Sequence, residues 1–83
     1  MTYEYKTKGT CSQRITFELE DNKIKNVKFI GGCHGNLQGI AALVEGMDAE
    51  EVIQKLSGIR CGWKNTSCPD QLALAIDHAI HNA

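Results

Sequence analysis

Hydrophobic and polar residues alternate along the first thirty positions of the chain, which is the period of β-strands. Two tyrosines alternate with polar residues over 2–6, so this stretch predicts a short edge strand. The segment 13–20 has an apolar residue at every second position and predicts a half-buried strand. A further strand is predicted over 24–30, with Val27 and Phe29 on one face.

The second and third strands are predicted to form a hairpin with a three-residue loop at 21–23. This register is favoured because it sets two apolar pairs opposite each other, Ile15 with Phe29 and Phe17 with Val27. Carried to the open end of the hairpin, the same register places Cys11 opposite Cys33. We therefore expect two cysteines that are distant in sequence to be neighbours.

Two helices are predicted in the middle of the chain, where apolar residues recur at intervals of three and four. Asn36 is the predicted N-cap of the first helix, and Gly46 follows its end. Asp48 is the predicted N-cap of the second helix, where Glu51 would complete a capping box. Gly58 follows the end of this second helix.

A third helix is predicted over about 69–82, since Pro69 suits the first position of a helix and an amphipathic stretch follows it. We find no repeat or linker and expect one domain over 1–83. The expected fold class is α+β, with the order βββααα. A three-stranded antiparallel sheet, made of the hairpin and an N-terminal edge strand, would be covered on one face by three helices.

Composition and charge narrow the class of protein. The chain is 42% hydrophobic and 23% charged with a net charge of -1, which is typical of a globular domain. This balance argues against a nucleic-acid binder, which usually carries a basic excess. No stretch approaches the roughly 20 apolar residues of a membrane span, and the first ten residues do not resemble a secretory signal. We therefore expect a cytoplasmic protein whose thiols are kept reduced.

The four cysteines are the main candidate for chemistry. Cys68 precedes the proline that starts the third helix, and a helix N-terminus favours the thiolate, the form that binds metals. We expect all four to hold one metal ion, most simply zinc: Cys11, Cys33, Cys61 and Cys68. A structural zinc site contributes about 10 to 16 kcal/mol, whereas a core of this size supplies only about 3 to 5 kcal/mol.

Three alternatives to a zinc site stay open. The cysteines can act as small buried apolar side chains without further chemistry. Cys61 and Cys68, which are close in sequence, can form a thiol-disulfide redox pair. Sets of thiolates also hold iron-sulfur clusters.

The remaining candidate groups carry weaker signals. The glycines around Cys33 form no complete phosphate-binding pattern, so nothing in the sequence supports a bound nucleotide. No catalytic arrangement of residues is recognisable, and we expect the chain to act through a protein partner without catalysing a reaction itself. Surface, capping or shielding roles are expected for the other polar and aromatic candidates, namely His34, Arg60, Trp63, Lys64, His78 and His81.

The sequences GIRCG at 58–62 and TSCPD at 66–70, followed by an alanine-rich helix, resemble the TSCPD domain. That family contains small stand-alone proteins and a C-terminal module of adenosylcobalamin-dependent ribonucleotide reductases. The resemblance implies a small accessory module linked to ribonucleotide reduction. The catalytic barrel of the reductase itself does not fit into 83 residues.

The stretch from Gly9 to Lys55 is also similar to iron-sulfur scaffold proteins of the IscU and NifU N-terminal type. The resemblance implies that Cys11, Cys33 and Cys68 occupy the places of the three cysteines that hold a cluster or zinc in that family. The chain departs from the scaffold pattern at two positions, since Gln13 stands in place of an aspartate and Ser67 in place of a histidine. Cys61 has no counterpart there.

Overall fold

The computed structural model describes residues 2–7, 12–31, 34–60 and 66–82. The described chain forms three strands followed by three helices, which confirms the predicted α+β class and element order. The strands are β1 (Thr2–Lys6), β2 (Ser12–Glu20) and β3 (Lys23–Gly31), and the helices are α1 (His34–Val44), α2 (Ala49–Leu56) and α3 (Cys68–Asn82).

The three strands form one antiparallel sheet in the order β1-β2-β3. Ile15 and Phe17 in the central strand are buried and face the helices. Tyr5 pairs with Ile15 and Tyr3 with Phe17, so the N-terminal strand extends the same apolar face. The rings of Tyr3 and Phe17 stack with their centroids 5.5 Å apart.

The middle of the hairpin has the predicted register, with Ile15 opposite Phe29. The predicted three-residue loop is wrong, because Glu20 pairs with Lys23 and only two residues connect the strands. Asp21 and Asn22 both have positive φ, 51° and 64°. This is the conformation of a type I′ turn, whose twist matches that of the strands and which asparagine and aspartate tolerate.

A β-bulge in β3 lies beside Phe17. Two residues, Asn26 and Val27, occupy the space opposite this single residue, so the simple Phe17–Val27 pair that we predicted is replaced by the bulge. Asn26 has a φ of 53°, the left-handed conformation typical of such bulges. The extra residue changes the alternation of the strand, so that Ile24 and Val27 both reach the core although they are three positions apart.

A second irregularity lies at the open end of the hairpin. Arg14 pairs with Ile30, but the next pair is Ser12 with Gly31, which leaves Gln13 as an extra residue in β2. The register that placed Cys11 opposite Cys33 is therefore not kept as far as Ser12. The two cysteines themselves lie outside the described residues.

The helix starts differ from the prediction in detail. Helix α1 begins at His34, so Asn36 lies within its first turn and is not its N-cap. Asp48 is the N-cap of α2 as predicted, but its side chain makes no capping hydrogen bond, so the predicted capping box is wrong. Asp48 is held through its backbone instead, in a β-bridge to Lys23.

The connection between α1 and α2 is fastened to the turn end of the hairpin. The Gly46 N–H donates to the Ile24 carbonyl (2.7 Å), and the Ala49 N–H donates to the Asn22 carbonyl (2.8 Å). Gly46 follows the end of α1 as predicted and has a φ of 80°, which glycine adopts without strain. Helix α1 therefore runs from the open end of the hairpin to its turn, and α2 starts beside that turn.

Helices α2 and α3 are antiparallel. Glu50 at the start of α2 and His81 near the end of α3 line the same groove, while Gly58 just after α2 is bonded to Asp70 in the first turn of α3. The start of α3 therefore lies beside the end of α2, and the end of α3 lies beside the start of α2.

The core lies between the sheet and the helices. It takes side chains from both strands of the hairpin and from all three helices, which confirms that the helices cover one face of the sheet. Its largest fully buried members are Phe17, Ile15, Ile24, Leu72, Ile76 and Val52.

Candidate functional site

The start of α3 is organised by Ser67, which is only 4% exposed. Its hydroxyl accepts the Asp70 N–H at 3.2 Å, the usual bond of an N-cap, and donates to the Ile59 carbonyl at 2.6 Å. The Ser67 carbonyl accepts the first helical hydrogen bond, from the Gln71 N–H at 2.8 Å. Ser67 thus starts the helix and attaches the preceding loop to it.

Asp70 joins the two ends of the loop between α2 and α3. One carboxylate oxygen, Oδ1, accepts the Gly58 N–H at 2.7 Å, and Oδ2 accepts the Thr66 hydroxyl at 2.5 Å. The side-chain amide of Gln71 donates to the same Thr66 oxygen at 3.0 Å. The buried Gln71 and the partly buried Thr66 are therefore both satisfied, and the loop is closed at its base.

Cys68 is the first residue of α3 and is partly buried. This confirms the prediction that it lies at a helix N-terminus. Pro69 occupies the second helical position, one later than predicted, where its missing N–H still costs nothing because the first four N–H groups of a helix have no helical acceptor.

The other three predicted ligands, Cys11, Cys33 and Cys61, lie outside the described residues. Within the ranges that the structure does describe, no three His, Cys, Asp or Glu side chains are grouped so that they could hold a metal ion. The four-cysteine site therefore stays a prediction.

The described residues next to these cysteines are held together in two pairs. Ser12 follows Cys11 in sequence and pairs with Gly31, which comes two residues before Cys33. Gly58, three residues before Cys61, is bonded to the first turn of α3. The described contacts thus bring the neighbours of Cys11 and Cys33 together, and the chain before Cys61 close to the helix that carries Cys68.

The histidines on α3 join no metal-binding group of side chains among the residues that the structure describes. His81 lies 2.9 Å from Asp77 and is exposed, as is His78, whose ring centroid is 6.4 Å from that of Tyr5. Their predicted surface position is thus confirmed. Arg60 is likewise exposed. The predicted roles of Trp63 and Lys64 and of the His34 side chain fall outside the part of the chain that the structure describes.

Sequence reasoning found Cys68 but missed the residues that fix its position. These are Thr66, Ser67, Asp70 and Gln71. A usable signal was present, because serine followed three residues later by aspartate resembles a capping box immediately before an amphipathic helix. The bond from Asp70 to Gly58 carries no local signal, since it joins residues twelve positions apart.

None of the helices in the described ranges has the combination of length and apolar character that crossing a membrane requires.

A family model described as the TSCPD domain matches residues 1–80 of the chain. This match covers all six elements of the fold, including most of α3. No curated protein and no solved structure matches the chain.

Proposed function

The chain belongs to the TSCPD domain family, and we propose that it is a cytoplasmic metal-binding module that acts through a protein partner. The proposed ligands are Cys11, Cys33, Cys61 and Cys68, and the proposed metal is zinc. In this proposal the module catalyses no reaction itself and serves as an accessory domain in ribonucleotide reduction.

Two pairings next to the cysteines support the site. Ser12 pairs with Gly31, which brings the chain beside Cys11 close to the chain before Cys33. The Gly58–Asp70 bond keeps the base of the Cys61 loop beside Cys68. Thiolates from three separate segments could then surround one ion.

The chemistry of the donor set favours zinc. Four cysteine sulfurs are a usual tetrahedral set for Zn²⁺, with metal-sulfur distances of about 2.3 Å. The positive end of the α3 dipole favours the charged form of a ligand at Cys68. The chain is small enough that a metal would add substantially to the stability supplied by its core.

Elemental analysis of reduced, tag-free protein tests the proposal. We expect one zinc per chain, and loss of most of it in each of four single Cys→Ser variants. The double variant His78→Ala/His81→Ala is the matched control, because it removes two other metal-binding side chains that lie outside the proposed site, and it should keep the full zinc content. Protein without stoichiometric metal, whose fold also survives chelation, would refute the proposal.

The same samples separate the other two uses of the cysteines. An iron-sulfur carrier predicts visible absorbance after anaerobic reconstitution, whereas a zinc protein stays colourless. A thiol-disulfide pair predicts that Cys61 and Cys68 are alkylated after reduction and protected reversibly after oxidation. Zinc ligands should instead stay protected under reducing conditions until a chelator removes the metal.

A further inference from the structure

We propose that Asp70 is a positioning residue that holds the Cys61 loop and Cys68 in the arrangement needed to bind a metal. This inference rests on the proposed four-cysteine site, but the geometry behind it belongs to described residues. Asp70 does not coordinate the metal in this proposal. Its carboxylate acts on the cysteines through the backbone that carries them.

The two oxygens of the Asp70 carboxylate are used on opposite sides of the loop. Gly58, which donates to Oδ1, lies before Cys61, and Thr66, which donates to Oδ2, lies after it. A single side chain therefore closes the base of the segment that contains Cys61. Since Asp70 is two residues after Cys68 in the same helical turn, the loop is closed directly beside that cysteine.

A carboxylate suits this role because it only accepts hydrogen bonds and can accept from both donors at once. A second contact reinforces the closure, as the Ser67 hydroxyl donates to the Ile59 carbonyl. Without Asp70 the loop would lose its bond at Gly58 and would keep the Ser67–Ile59 and Gln71–Thr66 bonds. Its ends would then sample wider separations, and the effective concentration of Cys61 at Cys68 would fall.

The consequence for metal binding is a loss of preorganisation. Groups that orient metal ligands without touching the metal typically change metal affinity by about 10- to 100-fold when they are removed. We expect Asp70→Ala to weaken metal binding within this range. Thr66→Val, which removes one of the two donors and keeps the carboxylate, should weaken binding less and in the same direction.

The first measurement is a Co²⁺ titration, in which thiolate coordination gives a visible absorption band. Wild type, Asp70→Ala and Thr66→Val are compared with Asp77→Ala, the matched control. Asp77 is an acidic residue of the same helix that contacts His81, away from the cysteine loop. The far-ultraviolet circular dichroism of all four proteins shows whether α3 still forms, and Thr66→Val decides the result if Asp70→Ala does not fold.

The second measurement needs no metal. In a Cys11→Ser/Cys33→Ser background, oxidised glutathione converts the Cys61 and Cys68 thiols into one disulfide and two molecules of reduced glutathione. At half-oxidation, the square of the reduced-glutathione concentration divided by the oxidised-glutathione concentration, which we call the glutathione ratio, gives the effective concentration of the two thiols. We expect Asp70→Ala to lower it by about tenfold and Asp77→Ala to leave it unchanged.

The two measurements separate the failure of this inference from the failure of the proposed function. If wild type binds Co²⁺ and Asp70→Ala binds equally well, the positioning role is wrong and the metal site stands. If wild type gives no thiolate band, the metal site is wrong, and the glutathione ratio alone decides whether Asp70 positions the thiols. An equal ratio in Asp70→Ala and Asp77→Ala would overturn the positioning role.

Discussion

Ser67 illustrates how much the start of α3 depends on one side chain. Its hydroxyl is buried, accepts a hydrogen bond from the helix and donates one to the loop before it. Asp48 occupies the corresponding N-cap position in α2 but makes no side-chain bond there. Two residues in the same nominal position should therefore contribute differently to stability.

We predict that Ser67→Ala lowers the free energy of unfolding by about 1 to 2 kcal/mol, the usual cost of losing an N-cap bond. The Ile59 carbonyl would also lose its donor. Asp48→Ala is the control and should change stability by less than about 0.5 kcal/mol. Urea unfolding of both variants measures the difference, and equal effects would show that the Ser67 hydroxyl has no special role.

The conformation of the whole hairpin likewise depends on a few residues. Its turn and its bulge both need left-handed backbone, which Asp21, Asn22 and Asn26 provide. The bulge allows Ile24 and Val27 to face the core together. The Asn26 N–H also donates to the Glu45 carboxylate at 2.9 Å, and the Asn26 side chain donates to Glu18. The bulge is therefore held by backbone conformation and by contacts on both sides.

We predict that Asn26→Ala lowers the free energy of unfolding by about 1 to 2 kcal/mol, because alanine in the left-handed conformation is strained. Asn26→Gly loses the same side-chain contact to Glu18 but not the backbone freedom, so it should be the more stable of the two variants. Thermal unfolding of the pair isolates the backbone contribution. An Asn26→Gly protein less stable than Asn26→Ala would contradict a strained bulge.

The hairpin also shows what could be predicted from sequence. Opposed apolar residues determined the central register, and the pairing of Ile15 with Phe29 was right. A two-residue loop followed by a bulge shifts the chain by the same amount as a three-residue loop, so the alternation of residues could not distinguish them. The residue type of Asn26 indicated that it can adopt the left-handed backbone conformation. The sequence did not show that the strand needs this conformation, because the need arises only from the burial of both Ile24 and Val27.

At the scale of the whole molecule, some features of the candidate site could be predicted from the sequence and others could not. Pro69 and the amphipathic stretch after it were enough to predict that Cys68 starts a helix. The Gly58–Asp70 bond was not predictable, because it depends on how α2 and α3 pack against each other. The four-cysteine arrangement stays a prediction, since Cys68 alone of the four lies among the described residues.

The buried face of helix α3 belongs to the core that the sheet and the helices share. A substitution on this face should therefore affect the stability of the whole domain. Leu72 is 0% exposed and belongs to the core that the sheet and helices share, whereas Leu74, two positions later, is 44% exposed.

We predict that Leu72→Ala lowers the free energy of unfolding by about 2 to 5 kcal/mol, since it leaves a cavity at the centre of a domain this small. Leu74→Ala should cost less than Leu72→Ala, because almost half of the Leu74 surface stays in contact with water. Urea unfolding followed by both Trp63 fluorescence and circular dichroism should show coincident transitions in each variant, as expected for one cooperative unit. Equal costs for the two leucines would contradict the assigned face of α3, and separate transitions would contradict a shared core.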